Sequence, residues 1–172
     1  MRAILAGMLA CGCAWAQQDV AAALNLDHLK AKAKESVDVS LDSSTLAFAG
    51  SFLSGGKGDE AKAKKLLAGV KAIFVRVFEF DKEGGYGEPD LKPVRALAKG
   101  AGWTRVVDID SKQDKEKTEV YTRTENGAPA GLIVIVAEKT ELAVVYIDGP
   151  IDLKQLGELG GSFGIGKKKG TK

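Results

Sequence analysis

Between Glu119 and Ile147 the chain carries three short runs of strand character separated by two turn signals, and this pattern predicts an antiparallel meander. Glu119 to Thr124 alternates, and Asn126-Gly127 follows, a dipeptide that tolerates the positive φ angles of tight hairpin turns. Leu132-Ile133-Val134-Ile135-Val136 is apolar without interruption, as a strand covered on both faces would be, and marks the buried middle of the meander. Glu138 to Glu141 makes the second turn into Leu142 to Ile147, and Trp103 to Ile109 reads as a further strand upstream.

The strongest strand signal lies at Val70 to Phe80, with Ile73, Val75 and Val77 on one face and Phe74, Arg76, Phe78 and Phe80 on the other. Apolar residues on both faces predict a central strand or one covered by a partner. Val37, Val39 and Leu41 alternate with Ser36, Asp38 and Ser40, the period of a half-buried strand. Helices are predicted at Asp19 to Lys34, from a cap at Ser43 or Ser44 through Leu53, at Glu60 to Ala68 behind an Asp59 cap, and at Asp152 to Leu159. Another is expected from Leu91 to Lys99, capped by Asp90, with Pro93 tolerated in its first turn. The order of elements predicts an α+β fold: a mixed, largely antiparallel five- to six-stranded sheet with helices mainly on one face.

Ahead of this region, Arg2, the apolar run Ala3 to Cys13 and the small-x-small triplet Ala14-Trp15-Ala16 form the pattern of a cleavable secretory signal. The expected organisation is a signal over residues 1–16, a single domain over 17–160 and a flexible Gly/Lys-rich tail over 161–172. The apolar run is far shorter than the ~20 residues a membrane-spanning helix needs, and no later segment supplies one. Cleavage before Gln17 would remove both cysteines, leaving no thiol or disulfide in the exported chain. The alternative is acylation at Cys11, because Met8-Leu9-Ala10-Cys11 partly resembles a lipoprotein signal. The location predicted is therefore extracytoplasmic, periplasmic or secreted, with a lipid anchor at Cys11 as the second choice.

Charge argues against a nucleic-acid partner, since 25 lysines and arginines stand against 23 aspartates and glutamates, with one of the cations in the leader. Lys167, Lys168, Lys169 and Lys172 crowd the tail, where a solvated run is expected rather than a contact with an anionic surface. Gly161 to Lys167 has the glycine and lysine spacing of a phosphate-binding loop. However, Lys168 stands where a magnesium-holding Ser or Thr belongs, and no strand precedes it. His28 is the only histidine, so neither a histidine-rich metal site nor a cysteine-histidine nucleophile is expected. Asp108 and Asp110 share a strand face and are read as solvated. No cofactor is implied.

Arg76 among the phenylalanines is the most informative charge. One reading has it snorkelling or pairing with Glu79 or another carboxylate at the sheet edge. The other makes Phe74, Arg76, Phe78 and Phe80 a partner-binding surface, because aromatics and arginine concentrate at interface hot spots.

The ordered set Gly69-Val70-Lys71-Ala72-Ile73, Gly102-Trp103, Gly131-Leu132 and Asp148-Gly149-Pro150-Ile151-Asp152-Leu153 resembles the bacterial family catalogued as domain of unknown function 4252, over roughly Asp19 to Leu159. The resemblance implies a small exported protein and supplies no activity or functional residue. The function expected is a non-enzymatic envelope protein that binds a protein partner or forms a homo-oligomer. The alternatives are a binder of small apolar ligands, or an enzyme working through carboxylates, lysines or Tyr86, Tyr121 and Tyr146.

Overall fold

The structure, a computed structural model, describes residues 20–52 and 69–151. Six strands, β1 (Glu35–Asp42), β2 (Ala72–Glu79), β3 (Trp103–Ser111), β4 (Glu116–Glu125), β5 (Ala128–Ala137) and β6 (Glu141–Asp148), form one sheet in the order β1-β2-β6-β5-β4-β3. Every neighbouring pair is antiparallel, so the largely antiparallel sheet expected from the sequence is antiparallel throughout the described strands. The helices are α1 (Asp27–Lys30), α2 (Ser43–Phe52) and α3 (Glu88–Leu97). The predicted leader, the helices at 60–68 and 152–159, and the phosphate-loop-like run with its lysine tail lie outside the described residues.

Local chemistry sets the boundaries. Asn126 and Gly127 both take positive φ, 51° and 79°, which makes the tight β4–β5 turn that this dipeptide favours. The helix expected over Asp19 to Lys34 is split, because the Asn25 side chain accepts the Asp27 amide at 3.2 Å and restarts the helix as α1. Asp42, not Ser43 or Ser44, caps α2: its Oδ1 accepts the Thr45 amide at 2.8 Å, and that bond helps hold its carboxyl down at about 2. Helix α3 begins three residues before the expected start. Asp90 sits inside its first turn and reaches back to accept the Gly87 amide at 2.8 Å, which leaves Pro93 in the second turn.

The two faces of the sheet are unlike. Leu24, Leu26 and Leu29 from the first helical segment and Leu91, Val94 and Ala98 from α3 and its end pack with Phe78, Phe80, Ile133, Ile135, Leu142, Val144 and Tyr146 as one buried cluster. Removing this much apolar surface from water is the main stabilising term available to the fold. At one end of the sheet the glycines of the ordered sequence set meet. A Cβ on Gly149 would stand 2.6 Å from the Val70 Cα, so two backbones cross there in a space only glycine leaves open. A Cβ on Gly131 would stand 3.0 Å from the Trp103 indole, which needs that clearance to lie on the sheet.

Candidate functional site

The face of β2 bearing Phe74, Arg76, Phe78 and Phe80 is turned toward the helices. Phe78 is 0% exposed, Phe80 4% and Arg76 8%, and Phe74 packs half-buried against the cluster, so these residues build the core rather than an open surface. Arg76 finds its carboxylate across the register on the edge strand: Nη1 lies 2.7 Å from Asp38 Oδ1, while Nη1 and Nη2 also donate to the Val39 carbonyl and Ser40 hydroxyl at 2.7 and 2.8 Å. Glu79, the other partner considered, is taken by Lys34 at 3.0 Å. β1 thus lays Asp38 and Ser40, both still exposed, on the same face as Arg76, where a buried guanidinium needs acceptors.

Other residues singled out in the sequence are dispersed. His28 Nε2 lies 2.7 Å from Asp90 Oδ1, tying α1 to the start of α3. Tyr86 donates to the Glu138 carbonyl, and burial pushes its hydroxyl up to about 12. Tyr146 lies in the core, and Asp108 pairs with Arg105 at 2.8 Å. Among the described residues no group of three or more His, Cys, Asp or Glu could hold a metal ion.

Two features stand out in their place. The first is a cleft of about 620 Å3 between α3 and the β3–β4 pair. Glu88, Lys92, Arg95 and Lys99 recur at helical spacing along one side of α3 and its end, and Arg105, Glu119 and Tyr121 face them from the sheet. Glu119 is 2% exposed, with Arg95 Nε donating to it at 2.6 Å and the Tyr121 hydroxyl at 3.0 Å. Burial alone would raise its carboxyl, but those two hydrogen bonds, with the charges of Arg95 and Lys117, outweigh it and hold the group below the usual glutamate value. Arg95 Nη1 pairs with Glu88, and Nη2 is buried with no acceptor.

The second is the opposite face of the sheet. Val39, Val75, Val145, Val134, Val120 and Val107 lie in one register line across all six strands. A flanking line runs Val37, Val77, Ala143, Val136, Thr118, Ile109, and the line on the other side begins Leu41, Ile73, Ile147, Leu132. At strand and residue spacings the platform measures roughly 24 by 14 Å, a few hundred Å2. Only Leu132 and Thr122 on it are buried; Val37 and Ile109 are 50% and 52% exposed, and none of its residues belongs to the core cluster. Charge is confined to its end, where Glu35, Glu79 and Glu141 are neighbours in register.

The sequence signal for this face was present as Ile73, Val75 and Val77, but linking it to the other strands requires the strand order. Compared with known protein families, the chain matches the model described as a domain of unknown function (DUF4252) over residues 30–159. No curated protein matches it.

Proposed function

The chain belongs to the DUF4252 family, whose description assigns no activity, and we propose from its geometry that it is an exported, non-enzymatic module that self-associates through the valine-lined face of the sheet. The observation that carries the reading is the half-open aliphatic platform crossing every strand. Isolated exposed aliphatics are ordinary, whereas a contiguous patch of this extent marks a contact surface. Its interior is uncharged, so it holds no charge pattern to select an unlike partner. A second copy supplies the matching surface: two such faces pack about 10 Å apart with strands near 30°. Glu119 supports the non-enzymatic part, because Arg95 and Tyr121 already occupy it and it is held ionised, which removes the most buried carboxylate among the described residues from proton donation.

Light scattering over a range of concentrations tests this. The unaltered chain is expected to dimerise, and V37K with I109K, both at exposed positions, is expected to give a folded monomer. A wild-type monomer at every concentration would sink self-association. Export rests on the leader pattern of residues 1–16. Intact mass of the protein from the cell envelope is expected to begin at Gln17; a lipidated Cys11 would replace cleavage with anchoring, and an uncut Met1 would remove export.

A further inference from the structure

We propose that the cleft between α3 and the β3–β4 pair binds a phosphate-bearing anion, a role separate from the valine-lined face on the other side of the sheet. Five cations, Lys92, Arg95, Lys99, Arg105 and Lys117, surround three carboxylates, Glu88, Glu119 and Asp108. The excess of two positive charges suits a dianion better than a single carboxylate. The side-chain amines of Lys92 and Lys99 have no hydrogen-bond or ion-pair partner among the described residues, although both line the cleft.

The guanidinium of Arg95 supplies the directional part. Its Nε edge is committed to buried Glu119, which fixes the plane of the group. The outer edge is the one a phosphate reads with two parallel hydrogen bonds. There Nη1 is held by Glu88, a side chain 78% exposed, and Nη2 has no acceptor at all. Glu88 thus occupies the place of the ligand: swinging its carboxylate into water frees Nη1, beside an Nη2 that has no acceptor, while the Glu119 contact keeps the arginine in position. Lys92 and Lys99, on the same side of the helix, then neutralise the remaining oxygens. The volume of about 620 Å3 accommodates a phosphate with a small organic substituent.

Such a phosphate is either free in solution or the headgroup of a lipid. Titration calorimetry of the purified exported chain with inorganic phosphate and with glycerol 3-phosphate reads the first. Co-sedimentation with vesicles of phosphatidic acid in phosphatidylcholine, against phosphatidylcholine alone, reads the second. Saturable binding in either arm is expected, weakened about tenfold in the K92Q/K99Q double variant. E88Q is expected to tighten it several-fold, because the competing carboxylate is gone; a merely structural Glu88–Arg95 pair would not produce that gain. Binding of the soluble phosphates alone assigns the free ligand, and binding of the vesicles alone assigns the headgroup. The absence of saturable binding in both arms, or binding unchanged in K92Q/K99Q, overturns the proposal. Circular dichroism of each variant confirms that its fold is kept, since all three positions are exposed on α3 or just past its end.

Discussion

Replacing Glu119 with alanine is expected to lower the folding free energy by about 3 kcal/mol, seen as a fall of roughly 6 to 12 °C in Tm. The loss comes from what is left behind: Arg95 keeps a buried charge whose strongest acceptor is gone, and the Tyr121 hydroxyl loses its partner as well. It sits at the low end of the range for broken buried pairs because Arg95 can still lean on Glu88. Acidity exposes the same pair. The folded-state carboxyl of Glu119 is held below its unfolded value, so its stabilisation is full above the ordinary glutamate range and is lost as the pH falls through that range and below it. E119A should therefore lose less stability than the wild type between neutral pH and the acid side of that range. Replacing both partners with apolar residues, R95M with E119L, should recover most of the loss. An unfolding free energy for E119A within about 0.5 kcal/mol of the wild type would show that the pair is not a buried charge interaction.

Phe78→Ala is expected to cost about 3 to 5 kcal/mol, because it empties a large volume at a site with no solvent access. Phe78 stacks on Phe80 with ring centroids 6.3 Å apart and sits opposite Leu142 in register, so little can move in to fill the space. Val77→Ala, one residue away on the half-open face, should cost less than about 1 kcal/mol. Urea denaturation of the two variants reads the contrast, and equal losses would contradict the assignment of the two faces.

Most strands were legible before the structure because their signals are local: the alternation of β1, the Asn126-Gly127 turn and the apolar run of β5 each need only a few neighbouring residues. What sequence could not decide was which face of an apolar strand meets the helices. On β1 the alternation suggests that Val37, Val39 and Leu41 point inward, yet Arg76 on the next strand demands acceptors and draws Asp38 and Ser40 to the core side. On β2 the sequence leaves the aromatic face open between a charge paired at the sheet edge and an interaction surface, and only the leucines before β1 with Leu91 and Val94 of α3 show it covered. The cleft was hidden for a related reason. Glu119 looks like one polar position in an alternating strand, and only the placement of α3 over β4 brings Arg95 to it across 24 residues of chain.

The strand order also has a kinetic meaning. The hairpins β3–β4, β4–β5 and β5–β6 are local and can close as soon as each turn is available. Among the described strands the β1–β2 pair joins the rest only through β6, the last of them in the chain, with Ala72 meeting Asp148 and Glu79 meeting Glu141. A chain delivered from its amino terminus thus holds β2 with one edge unsatisfied until β6 has arrived, and a pairing so distant in sequence closes more slowly than a hairpin. During that interval the aliphatic side of β2 and its bare edge are open together.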